Sequence, residues 1–590
     1  MKILLIHPED GLQAGPWASS RCDRVIDLGR AGVQSYARAA GAFGCAVTSV
    51  NDLRQSLNDM GSVRDLLRQG FGRLCDQFDL DWWELTAIFS HHQLDRVILL
   101  HDFLETLTPL DEVYLSRPGF EAEALRIELG QRLHIFPAQA SREKGTARHY
   151  FRVLRRFPVS QLLEIFWDKH DAGYQRRGLL SGKRKPQDAP VVLLPTAYGN
   201  ASRTDIAYAN ILPDERFLLV ATRRSGWIER PPANVSTAWL RSYASVGIPA
   251  RKAEYADLMD RWHALRRELE SVPEFSIFSR LGGFDDFPRR FARGLEIRDA
   301  WRNVLDTEPV QAVICTDDSN PYTHIPLLLA KARGLPTVSC HHGALDGRYL
   351  FKPCHADVIL AKGRMEEDYL VRVCNVPANR VEVGAPLELV KEDQASRDLK
   401  PLIVVFSEAY EAMGGRAADV YQDILPGLAD LARAEKRELV VKLHPAESAS
   451  ERRRIIHQTL LPRQRPVVRV VSGPLQSEML DETWFGITIL STVAADCALR
   501  GIPCFLCKWL ESSPYGYVDQ FTRFGVGIRL NGPEEIKQIP GMLRQNRPNA
   551  ATSANLWSPI AKDRLRVLLG IDRSREQGKL SSTASTVGKL

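Results

Sequence analysis

Nowhere in its 590 residues does the chain string together about eighteen apolar residues free of charge, so no segment is built to cross a bilayer as a helix. The opening apolar run, Ile3–Ile6, is also too short for the core of a signal peptide. An excess of one charge sign is lacking as well. The 78 basic and 72 acidic residues leave a formal +6, without the aromatic-interleaved basic stripe of a nucleic-acid binder. The basic runs are short (Arg152, Arg155 and Arg156; Gly182-Lys183-Arg184-Lys185) and read as solvated helix ends and a linker. Their alternative reading is contact with an anionic lipid head group or an acidic glycan, which keeps peripheral contact with the inner face of a membrane open. The ten cysteines show no zinc spacing. Most stand in apolar strand-like runs, the usage of reduced thiols in a cytoplasmic protein. The single C-x-x-C, Cys504 and Cys507, lies on such a run, where residues three apart point to opposite faces. No metal is expected. G-x-G-x-x-G and G-x-x-x-x-G-K-[ST] are both missing, and Gly414-Gly415 does not substitute for either. That removes the motif support for a nicotinamide, flavin or P-loop site.

The composition that remains, 44% hydrophobic and 25% charged, is that of a globular protein too long for one core. Short apolar runs alternate with helical periodicity, which implies α/β architecture with parallel sheets. Residues 1–145 form a first α/β block, with strands expected at Ile3–Ile6, Arg96–Leu100, Glu112–Leu115 and Leu133–Phe136. Residues 146–189 read as a helical connector and basic linker. Residues 190–398 and 399–571 each repeat the strand–helix rhythm, and the Ser/Thr/Lys/Gly-rich tail 572–590 reads as disordered.

Several strand ends carry chemistry. Leu439–Leu443 delivers Lys442 and His444 to its carboxyl end, where Pro445 stops the ladder. Ligands of open α/β sheets bind at carboxyl ends, and an ammonium and an imidazole there suit a phosphate. A turn proline beside an exposed histidine is the plainer reading. A second strand ends in Ser491-Thr492 and opens a helix that closes at Gly501-Ile502-Pro503, so the hydroxyls serve either as a cap or as an anion site. Glu408, after Phe406-Ser407, ends a third strand and reads as a donor contact or a helix cap. Upstream, one strand ends in Asp317-Asp318 and the next in His341-His342-Gly343. Each pair supplies candidates for the base that takes an acceptor proton, with helix capping as the rival use of the aspartates.

The strand ending in Lys-x-His-Pro, followed by a hydroxyl pair opening a helix that ends near Gly-x-Pro, resembles the nucleotide-binding lobe of GT-B enzymes of bacterial surface polysaccharides. The groups it resembles are the CDP-glycerol glycerophosphotransferases, the polysialyltransferases and the capsule Kdo transferases; UDP-N-acetylglucosamine 2-epimerases have a related lobe. The resemblance covers about 305 to 510 and leaves the first 300 residues outside it. It implies that His444, Ser491 and Thr492 hold the nucleotide phosphates, with Thr492 standing where serine is usual. It also implies a His-Gly turn at His342-Gly343. The fold then expected is two facing Rossmann-like lobes, GT-B-like, with the additional N-terminal block. The expected activity is transfer of a sugar or polyol-phosphate unit from a nucleotide-linked donor to a glycan or lipid-linked acceptor, with no cofactor and no metal. Lys442, His444, Ser491, Thr492 and Glu408 are the donor-side residues, Asp317 the base and His342 the contact to the transferred group, with Asp318, His341 and Gly343 beside them. The alternatives are a nucleotide-sugar 2-epimerase and a scaffold of glycan synthesis that lacks the base.

Overall fold

The computed structural model describes residues 1–7, 10–12, 21–136, 186–386, 400–545 and 555–571, with short interruptions at 30, 32, 54–57, 76–79, 81, 245–248, 319–320, 346, 351–353, 414, 446 and 512–515. Most of the connector, both short basic runs and the tail after 571 lie outside the described residues.

The protein is α/β, with three sheets whose strand pairs are all parallel. The first holds β1 (Lys2–Ile6), β2 (Arg24–Asp27), β3 (Val47–Ser49), β4 (Glu112–Leu115) and β5 (Leu133–Ile135), in the order β3-β2-β1-β4-β5. The second holds β6 (Val191–Thr196), β7 (Phe217–Ala221), β8 (Val235–Trp239), β9 (Val310–Cys315), β10 (Thr337–Cys340), β11 (Val358–Ala361) and β12 (Val381–Val383), in the order β12-β11-β10-β9-β6-β7-β8. The third holds β13 (Leu402–Phe406), β14 (Glu438–Lys442), β15 (Val468–Val471), β16 (Thr483–Thr488), β17 (Cys504–Cys507) and β18 (Ile528–Leu530), in the order β15-β14-β13-β16-β17-β18. Each sheet is doubly wound. The chain runs outward in one direction, returns to the centre and runs outward in the other. The reversal falls between β1 and β4, between β6 and β9, and between β13 and β16, and such switch points are where open α/β sheets bind ligands.

The central strands are continuous apolar runs because helices cover both of their faces. All six residues of β6 and all five of β13 are buried. One strand expected from sequence is helical instead. Arg96–Leu100, expected as a strand, lies inside the helix Trp82–Glu105. There Leu94, Val97 and Ile98 are buried with the i, i+3, i+4 spacing of one helical face.

By internal contacts the chain forms two compact units. One comprises Met1–Leu57, Arg96–Gly145 and Leu389–Leu556, and so contains the first and third sheets. Within it, Arg416 is almost wholly buried and pairs with the fully buried Asp27 at the end of β2, donating also to the His7 carbonyl at 3.3 Å. Arg38 pairs in the same way with Asp423 on the helix Ala417–Ala434. The other unit comprises Asn58–Asp95, Thr146–Glu388 and Trp557–Leu590. Its second sheet is extended at the edge by a bridge from Ala385 to Pro559, and Ile560, Leu565 and Leu569 return to its core. An aromatic cluster joins its helices, with Phe71 stacked on Trp262 (ring centroids 5.8 Å apart) and on Phe287 (5.6 Å). Among the described residues no helix is long and apolar enough to cross a membrane.

Candidate active site residues on two doubly wound sheets

In the first unit the carboxyl ends of β14, β13 and β16 lie side by side, so Lys442 and His444, Ser407 and Glu408, and Ser491 and Thr492 all emerge at the same edge of one sheet. Glu408 is the organiser. It is buried, and its Oε1 accepts the Thr488 hydroxyl at 2.6 Å and the backbone N–H groups of Ile489, Leu490 and Ser491 at 3.1, 2.9 and 3.1 Å. Among the described residues its Oε2 is buried without a hydrogen-bond partner. Burial pushes the carboxyl above its ordinary pKa, against the opposing pull of these donors. The amides that begin the Ser-Thr turn are therefore already occupied by an internal carboxyl group. What the turn presents outward is hydroxyl: Ser491 and Thr492 are partly exposed. Ser491 Oγ accepts the Val493 N–H at 3.3 Å, whereas Thr492, the N-cap residue, makes no side-chain capping bond.

Lys442 is buried, and its ammonium donates to the carbonyls of Leu443 (2.8 Å) and Gly473 (2.7 Å), which ties the end of β14 to the turn after β15. Desolvation lowers its pKa. His444, by contrast, is exposed, and its backbone N–H donates to Glu447 Oε2 at 2.7 Å. Its imidazole pKa is also lowered, first by desolvation and further by Lys442. Glu447 was not singled out in the sequence. Its other oxygen accepts from Ser407 Oγ (2.9 Å) and Arg452 Nε (2.7 Å), and Arg452 pairs in turn with Glu411. This network holds the His444 loop against the end of β13.

In the second unit the corresponding edge carries Tyr198 after β6, Asp317 and Asp318 after β9, and His341 and His342 after β10. Asp317 is completely buried and Asp318 nearly so, the latter accepting from the Tyr349 hydroxyl at 3.2 Å. The histidines are partly exposed. His342 Nδ1 lies 3.3 Å from the Tyr198 hydroxyl, with the rings edge to face. His341 Nδ1 accepts the Gly343 N–H at 3.2 Å, and a Cβ on residue 343 would come within 2.8 Å of the His341 ring and displace it. Lys362, after β11, donates to the carbonyls of His341 and Gly343 and pins the turn from below. A further acid, Asp205, is wholly buried on the helix Gly199–Ala209. Its pKa is raised well above the ordinary value by burial and by the neighbouring Asp317. Its only sequence signal is an aspartate on the buried face of that helix.

These features define a protein with two doubly wound units, each with polar side chains gathered at a switch-point edge. No protein-family model and no curated protein sequence matches the chain. Among solved structures it is similar to S. aureus MnaA in complex with UDP (10% identity, TM-score 0.40, covering 65% of this chain and 97% of that one). It is also similar to a UDP-GlcNAc 2-epimerase from Neisseria meningitidis bound to UDP-GlcNAc (8%, 0.38, 64% and 98%). A third is the spinosyn rhamnosyltransferase SpnG (14%, 0.37, 66% and 100%). These are likenesses of chain path, and the chemistry above stands without them.

Proposed function

We propose that this chain is a nucleotide-sugar-dependent transferase of GT-B type, moving a sugar or polyol-phosphate unit to a glycan or lipid-linked acceptor. The observation that carries the reading is the convergence of His444, Ser491 and Thr492 on the strands either side of β13, at the switch-point edge of the third sheet. An exposed imidazole and two hydroxyls there suit the phosphates of a nucleotide donor, with Lys442, Glu408 and Glu447 positioning the loops that carry them. Because Asp317 is fully buried while His342 is partly exposed, we assign contact with the reacting acceptor hydroxyl, and the base role, to His342. Asp317 and Asp205 then form a buried acidic pair. The free thiols, nine among the described residues, fit a reducing cytoplasmic setting.

The test is incubation of the purified chain with CMP-, CDP-, UDP- and GDP-linked sugars and CDP-glycerol, with and without glycan acceptors, followed by chromatography. Acceptor-dependent release of free nucleotide supports transfer. An altered sugar still attached to its nucleotide indicates epimerisation, and neither product with any donor returns the chain to the scaffold reading.

A further inference from the structure

We propose that the second unit carries an anion-binding subsite built on Arg223 and Arg293 around the ring of Tyr322, and that it takes a phosphate or carboxylate group of the acceptor. The site stands on geometry alone; naming its ligand as the acceptor rests on the transferase reading.

Arg223 stands two residues past β7; between them the Thr222 hydroxyl donates to the Thr196 carbonyl at 3.0 Å, and the short turn Arg224–Gly226 follows. That turn lies flat on the end of β6. Ser225 Oγ donates to the Ala197 carbonyl at 3.0 Å, and a Cβ on Gly226 would come within 3.1 Å of the Tyr198 nitrogen. The backbone that launches Arg223 is thus fixed. Its guanidinium carbon lies 5.1 Å from the centre of the Tyr322 ring, and that of Arg293 lies 5.7 Å from the same centre. Tyr322 is itself held at both ends: its carbonyl accepts Trp301 Nε1 at 2.8 Å, and its hydroxyl accepts Arg293 Nη2 at 3.1 Å.

Two guanidinium groups therefore lie over one ring. Arg293 reaches Glu296 at 2.9 Å on the surface of its own helix. Among the described residues the Arg223 side chain makes no ion pair and no hydrogen bond, and its Nε is buried without a partner. A stacked arginine with its donor fork unclaimed is suited to planar, two-point recognition of a carboxylate or phosphate. Its place in the sheet points the same way. β7 flanks β6, while Tyr322 follows β9, so Arg223 spans the carboxyl end of the β6–β9 switch point, the edge that also carries Tyr198 and His342.

The test is calorimetric titration of the full-length chain with inorganic phosphate, D-glucuronate and, as the neutral control, D-glucose. The phosphate arm is run in a His444→Ala background, so that the proposed donor site does not contribute. At least one anion should bind more tightly than glucose. Arg223→Gln should weaken that binding by roughly 10-fold or more, Arg223→Lys less, and His444→Ala should leave glucuronate binding unchanged. Phosphate alone identifies a phosphoryl group and glucuronate alone a uronate, and either supports the site. Equal binding in parent and Arg223→Gln, or anions no tighter than glucose, overturns it. Arg293→Gln, on a different element, repeats the test should Arg223→Gln fold poorly. If the anion binds through Arg223 but no nucleotide binds anywhere, the subsite stands and the acceptor label falls.

Discussion

Glu408 Oε1 accepts the Thr488 hydroxyl at 2.6 Å, joining the ends of β13 and β16 across the switch point of the third sheet. Three backbone N–H groups converge on the same oxygen. Removing the carboxyl with Glu408→Ala strands these buried donors, each at a cost of about 1–3 kcal/mol where no water replaces the lost acceptor. A marked fall in denaturation midpoint is expected, together with a loosened Ser491-Thr492 turn. Glu408→Gln keeps a carbonyl oxygen in place for the same donors, so its midpoint at pH 7 should stay closer to the parent's than that of Glu408→Ala. Equal loss in the two variants would remove Glu408 as the organiser of the turn.

Arg416 and Asp27 form a buried pair that ties the first sheet to the third within one unit. Breaking such a pair from one side leaves an uncompensated buried charge, typically at about 3–5 kcal/mol. Arg416→Leu should therefore destabilise strongly in urea unfolding, and Asp27→Asn less, because a neutral amide still accepts. An Arg416→Leu chain as stable as the parent would show the pair to be incidental.

Asp419 stands beside that pair, and its carboxyl is pushed up to about 6, mainly by burial, with Arg416 pulling the other way. Its folded pKa exceeds the ordinary 3.8, so between these values the folded state holds more protons than the unfolded one. Stability from this group is therefore present at low pH and lost as pH rises from about 4 to 6. The span corresponds to something on the order of 3 kcal/mol. Asp419→Asn should remove this falling component: its stability relative to the parent should improve between pH 4 and pH 7. A pH-independent difference would contradict the assignment.

Much of this architecture was legible because strands buried on both faces announce themselves. Leu402–Phe406 and Val191–Pro195 are unbroken apolar runs. Val97–Leu100 has the same composition, and only its i, i+3, i+4 packing inside a longer helix distinguishes it. The strands Arg24–Asp27 and Val47–Ser49 are too short to show a period at all. In the site, the positions of His444 and Ser491 followed from a strand stopped by proline and a strand opening a helix. Their supports did not. Glu447 and Ser407 are 40 residues apart in the chain, and Lys442 finds the Gly473 carbonyl 31 residues away. Such pairings depend on which strands are neighbours, and local pattern does not specify the order β15-β14-β13-β16.

For the reacting group, replacing His342 with Asn should lower turnover at saturating donor by about 10²–10⁴, the usual range for a general base. Asp317→Asn, altering a fully buried side chain, should act mainly on stability and leave turnover within about ten-fold. The opposite ranking would return the base role to Asp317.

The role proposed for the third sheet's edge is to hold the phosphates of a nucleotide mono- or diphosphate with His444, Ser491 and Thr492. It is tested most directly by measuring thermal stabilisation and affinity for CMP, CDP, UDP and GDP in the parent and in His444→Ala. One nucleotide should raise the melting temperature of the parent, because a ligand that binds only the folded state stabilises it. In His444→Ala the affinity should fall by roughly 5- to 150-fold, the equivalent of one lost phosphate hydrogen bond, with the ligand-free melting temperature nearly unchanged. The same nucleotide affinity in both proteins, or no stabilisation of the parent by any of the four, would contradict it.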